Sequence, residues 1–207
     1  MIRGACPLVF AQSNVMIDKS ANLWYPLRIS YSSDSRVMKL KDLLDKEDGV
    51  ETYVPMTYKR VDSRLLLVPA LNNILFVYTT FAKLEDIKKN KSLYEPLRYM
   101  MHSVTEDNGL KHSEVIYVPD QSMNDFIRVT STQNEHVEYL RNMDFVYRPG
   151  TKVQIVDGVF KGVKGVVKRI KKNMCVVVPV GGIAAVAITS IPRSFLEVLV
   201  EDEHTNL

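Results

Sequence analysis

Few residues in this 207-residue chain have types and spacing that could do covalent or metal chemistry. The two cysteines, Cys6 and Cys175, lie far apart in unlike contexts. Two thiols form neither a disulfide framework nor a four-ligand zinc site, and they fit a reducing, cytoplasmic setting. The four histidines, His102, His112, His136 and His204, show no ligand spacing with one another or with the cysteines. No G-x-S-x-G, Walker loop, H-E-x-x-H or dinucleotide fingerprint occurs. The expectation is therefore no catalytic residue, no metal ligand and no cofactor. What remains is charge. Between Val146 and Val200 nine basic residues face only Asp157 and Glu197, a local net of +7 in a chain whose total is +3. A module this basic fits contact with nucleic acid or an acidic protein surface, and equally a solvated charged face.

The charge sits on a stretch that asks for explanation, "VQIVDGVFKGVKGVVKRIKKN" from Val153 to Asn173. Val153, Ile155 and Val159 alternate as if pointing inward from a strand pair turned at Asp157-Gly158. Gly162 and Gly165 fall where a strand bends sharply and a Cβ would obstruct a small barrel closing on itself. "GVVKRI" continues as a strand and "MCVVVPV" returns. "AVAIT" and "FLEVLV" complete about five strands, the size of a small SH3-like barrel. Alternation builds it, glycine bends it and lysine dresses its rim. Asn173–Pro192 carries no charge over the length of a membrane span, but Pro179 and Gly181-Gly182 break it. It reads as two strands around a Gly-Gly turn, so no membrane is expected.

Ahead of this module the elements are mixed. "LWYPLRIS" (Leu23–Ser30) reads as a strand, with Pro26 hinting at an edge. Ser33–Glu47 is the clearest helix, capped by Ser33 or Asp34 and striped by Val37, Leu40 and Leu44. "VETYVPM" is a short strand, and the polar, basic "TYKRVDSR" is an exposed hairpin tip. "LLLV" and "ILFVYT" are apolar strands, and Phe81–Asn90 is an amphipathic helix. Leu97–Val104 and Glu114–Pro119 are strand-like around the Asn108-Gly109 turn signal, and Asp120–Thr130 is a helix. This order predicts an α+β sandwich, with helices on one mainly antiparallel sheet. The domain reading is an extension over residues 1–20, poorly ordered or mis-started ahead of Met16. A first domain over 21–130, a polar and mildly helical connector over 131–145, and a basic β domain over 146–207 follow it.

"RPGTKVQIVDGVFKGVKGVVKRIKKNMCVVVPV" closely resembles the KOW motif at the C-terminus of NusG-like transcription elongation factors. The markers are Pro149-Gly150, Val153, Asp157, Gly158, Phe160, Gly162, Gly165 and Val167. "LWYPLRIS", a helix, "YVP" and "LVPALNNILFVYT" resemble the NusG N-terminal (NGN) domain in order and spacing. "EVIYVPDQSMNDFIRVT" and "AAVAITSIPRSFLEVL" look most like the UpxY group, specialised paralogues associated with polysaccharide operons. Together these segments cover most of Leu23–Leu199.

The resemblance implies a non-enzymatic, monomeric antitermination factor that clamps RNA polymerase and suppresses pausing or premature termination. Its apolar polymerase-binding patch falls on Leu71, Ile74 and Phe76, residues that taken one by one read better as core. The chain departs from the family at Asn72-Asn73-Ile74, where an aromatic is usual at the position of Ile74. The resemblance puts Lys59, Arg60 and Arg64 near nucleic acid, either non-template DNA or nascent RNA, and a solvated hairpin tip fits them as well. Asp157, Gly158, Phe160, Gly162 and Gly165 are expected to be mainly structural, with Phe160 an anchor for an unidentified partner protein if exposed. The alternative is an RNA-binding KOW protein of the ribosome-associated type.

Overall fold

The computed structural model describes residues 20–30, 33–106, 109–140, 150–170 and 173–199. The expected extension lies outside them up to residue 19, as do Asn108, residues 141–149, Lys171, Lys172 and the acidic tail over 201–203. The fold is mixed α+β, in two units that divide between Met123 and Asn124.

In the first unit, β1 (Asn22–Ile29) is followed by α1 (Asp34–Leu44), where Ser33 Oγ accepts the Arg36 amide at 3.3 Å as an N-cap. Then come β2 (Glu51–Tyr53), β3 (Met56–Val61), β4 (Arg64–Pro69) and β5 (Ile74–Thr80). Two helices, α2 (Phe81–Lys89) and the one-turn α3 (Lys91–Tyr94), precede β6 (Leu97–Tyr99), β7 (Met101–Thr105), β8 (Lys111–Val115) and α4 (Asp120–Thr130), within which the units divide. Four strands form an antiparallel sheet in the order β2-β5-β1-β6, while β3-β4 and β7-β8 are separate two-stranded ribbons. Period-two alternation splits β5 between the two faces of this sheet. Leu75 and Val77 join Tyr25, Leu27 and Ile29 under Val37, Leu40 and Leu44 of α1 and Leu84 and Ile87 of α2. Ile74, Phe76 and Tyr78 belong to the other face, where the Trp24 and Tyr78 rings lie 5.1 Å apart. The edge hinted at by Pro26 has a local meaning. The β6 ladder reaches only Leu27–Ile29 of β1, so it stops short of the proline that lacks a ladder donor.

The second unit holds β9 (Val137–Leu140), β10 (Lys152–Ile155), β11 (Lys164–Ile170), β12 (Asn173–Val180), β13 (Ala184–Thr189) and β14 (Leu196–Val198). The sheet order is β14-β10-β11-β12-β13-β9, antiparallel throughout. The expected uncharged hairpin forms as β12 and β13, with Gly181 and Gly182 both at positive φ in the turn. Among the described residues, no helix is long and apolar enough to cross a membrane.

Four expectations are corrected. The sheet does not close into a barrel, because its outer strands β14 and β9 pair with β10 and β13 and not with each other. The connector read as mildly helical contains β9, whose Val137–Leu140 lie along Ala185–Ile188 of β13. Pairing with a buried strand overrides a weak local helix preference. The pair expected to turn at Asp157-Gly158 is instead β10 with β11, joined by a longer loop, and Val159 stands 70% exposed at its tip. Finally, Leu97–Val104 is two strands rather than one: β6 joins the main sheet and β7 pairs with β8.

Candidate interaction surfaces

Of the expected polymerase-binding residues, Phe76 is fully buried, whereas Leu71 and Ile74 are half-buried. Ile74 and Phe76 do share a strand face, two residues apart on β5. In this structure the three do not make an exposed apolar patch.

The basic trio stands elsewhere, on the β3–β4 ribbon. Asp62 and Ser63, both at positive φ (46° and 66°), turn it, and the register sets Tyr58 opposite Leu67, Lys59 opposite Leu66, Arg60 opposite Leu65 and Val61 opposite Arg64. Lys59, Arg60 and Arg64 are exposed, as the sequence suggested. The exposure of the leucines between them was not foreseen. Leu65 is 58% exposed, and Leu66 and Leu67 are close behind. "LLLV" beside a polar hairpin reads as buried strand by composition alone. No separate signal distinguishes a leucine pointing into a core from one on a ribbon that leaves it.

In the second unit the glycine-rich stretch forms the loop between β10 and β11. Gly162, at φ +90°, donates its amide to Ile155 O at 2.6 Å, and Ile155 donates to Val163 O at 2.9 Å. Arg128, from the part of α4 in this unit, donates from Nη1 to Lys161 O at 2.8 Å and ties the loop down. Gly165 sits in β11 where an added Cβ would lie 2.6 Å from Val176 Cγ1 and 2.8 Å from Val177 O. Close approach does exclude a Cβ there, but the approach is that of β12 in an open sheet and not of a closing barrel. Asp157 Oδ1 accepts the Gly158 amide at 2.7 Å, which fixes the turn. Phe160 is buried, so it packs inside the unit and is not an exposed anchor.

The structure also gathers groups that linear spacing kept apart. On the β7–β8 ribbon His112 lies between two carboxylates, with Nε2 2.8 Å from Glu114 Oε1 and Nδ1 3.3 Å from Glu106 Oε1. His102 Nε2 lies 3.7 Å from Glu114 Oε2. Strand period puts His112 and Glu114 on one face of β8, and the antiparallel register sets His102 opposite Glu114. Even so, no group of three His, Cys, Asp or Glu side chains among the described residues is placed to hold a metal ion. Beside the main sheet, Lys88 Nζ donates to Leu97 O at 3.0 Å and lies 4.1 Å from the centre of the Tyr99 ring. Burial, then the Arg98 charge, lowers its affinity for its proton.

No protein-family model matches the chain, and no curated protein matches it at a significant level.

Proposed function

We propose that this chain is a NusG-like transcription elongation and antitermination factor of the UpxY type. On this reading the first unit is an NGN-like domain that binds RNA polymerase, and the second is a KOW domain that recruits a further protein. The protein has no catalytic centre and needs no cofactor. It holds the elongating enzyme against pausing and premature termination, on polysaccharide operons by the resemblance. The observation that carries the reading is the agreement between the motif residues and what they do in the second unit. Gly162 takes the left-handed backbone of the loop, Gly165 permits the β11–β12 approach, and Asp157 fixes the turn. The four-stranded antiparallel sheet with α1 and α2 on one face supports the assignment of the first unit.

The test is binding of the whole chain to bacterial core RNA polymerase, beside Ile74→Glu. Ile74 is half-buried on β5, and a carboxylate there is expected to weaken binding at least tenfold. Undiminished binding by the variant would move the contact off β5. An absence of polymerase binding, with RNA affinity that falls steeply as salt rises, would replace the reading with the ribosome-type RNA-binding alternative.

A further inference from the structure

Half of the large apolar side chains that stand exposed among the described residues lie on one ribbon, β3–β4: Tyr58, Val61, Leu65, Leu66 and Leu67. Single exposed leucines are ordinary. A contiguous group rimmed by charge is the usual mark of an interaction surface. The two faces of the ribbon differ in chemistry. Cross-strand pairs put Tyr58, Leu65 and Leu67 on one face with a single cation, Arg60. The other face alternates Lys59 and Arg64 with Leu66 and Val61. Among the described strands the ribbon pairs with no other.

We propose that the Tyr58–Leu65–Leu67 face is a docking arm for a protein surface that is apolar at its centre and edged by carboxylates. We further propose that this surface belongs to RNA polymerase, a clause that rests on the function proposed above. The charge selects the partner. Three cations against Asp62 alone leave the ribbon positive, which attracts an acidic rim and sets two copies of this chain against each other. The same cations on a ribbon that no other described strand extends oppose indiscriminate strand addition. Nucleic acid would satisfy Lys59 and Arg64 but would leave the leucines without a counterpart, since a phosphate gains nothing from an aliphatic side chain. A protein surface uses both, with Tyr58 and Arg60 as the anchor types and the leucines excluding water around them.

Two paired variants separate these partners. Leu65→Thr with Leu67→Thr removes the apolar face and keeps a residue that favours strand. Lys59→Gln with Arg64→Gln removes the charge of the opposite face and leaves the apolar face intact. Each is compared with the unaltered chain for binding to core RNA polymerase and to single-stranded DNA and RNA, at two salt concentrations. Circular dichroism checks that the fold is retained. The expected result is a loss of at least tenfold in polymerase affinity for the leucine pair and a smaller, salt-dependent loss for the cation pair. Polymerase binding by the leucine pair equal to that of the unaltered chain would overturn the docking arm while leaving the elongation-factor reading intact. Nucleic-acid binding abolished by the cation pair, with the leucine pair unaffected throughout, would make the ribbon a nucleic-acid arm and also overturn the proposal. If the unaltered chain fails to bind polymerase, the functional reading falls, and the arm falls with it.

Discussion

At the scale of single residues, Gly165 and the buried tyrosines carry the clearest consequences. A methyl group at Gly165 would meet Val176 Cγ1 at 2.6 Å and the Val177 carbonyl at 2.8 Å, and the second of these is backbone that cannot rotate away. Gly165→Ala is therefore expected to cost about 3 kcal/mol, from strand separation between β11 and β12. Urea denaturation followed by circular dichroism would read this, and an unchanged midpoint would mean the strands have slack they do not display. In the first unit Tyr94 is buried, and its hydroxyl donates to Glu47 Oε1 at 2.9 Å. Burial first, then that bond and the Glu47 charge, push the phenol up from 10.0 to about 12. Tyr25 is pushed to about 12 by burial and by Tyr117, and burial raises Tyr99, which donates to Glu85, as well. A folded-state value above the unfolded one favours folding while the phenol keeps its proton. That contribution is complete below about pH 10 and disappears as the pH rises toward about 12. The urea midpoint of the first unit should fall through this window, and Tyr94→Phe should flatten part of the fall. A midpoint independent of pH between 10 and 12 would refute the assignment. Little of this was legible in sequence. Glycine types can be read from a motif, but the neighbour that makes one of them necessary lies on another strand.

At the scale of elements, periodicity located most helices and strands, because each apolar stripe had a single core to face. Ser33 capping α1 and the Gly-Gly turn between β12 and β13 stood in the sequence as short-range chemistry. The errors came where partners are distant. Val137–Leu140, "VEYL", has only a four-residue alternation inside a polar segment and becomes β9 because β13 offers it an edge. The same cause hid the ribbon: nothing local to "RLLLVP" says that its strand leaves the main sheet. It also hid the His102–Glu114 pair, which exists only in the register of β7 against β8. Since β13 is buried along almost its whole length, the cover given by β9 matters for the unit. Replacing Val137–Leu140 by alternating Gly and Ser is expected to speed amide hydrogen exchange along Ala184–Thr189 by at least tenfold. Protection that survives this change would show that β9 decorates the sheet without holding it. For the candidate surface, the cations Lys59, Arg60 and Arg64 were legible as exposed, whereas the apolar half of the ribbon was not.

At the scale of the whole molecule, the charge asymmetry seen in composition falls in the second unit, and the exposed apolar ribbon belongs to the first. Polymerase binding through the ribbon and partner recruitment through the basic unit would thus be separable by substitution. The sheet of the second unit also has a consequence for how the protein is made. Its first strand in sequence, β9, lies at one edge, and its last, β14, lies at the other. During synthesis β9 leaves the ribosome about forty residues ahead of β13, its one partner among the described strands, and β14 follows later still. The nascent chain must therefore carry an unmatched β9 until nearly all of the unit has been translated. Chaperone occupancy of nascent chains stalled at successive lengths should persist until β13 has emerged, and a premature stop before β14 would leave β10 as a raw edge.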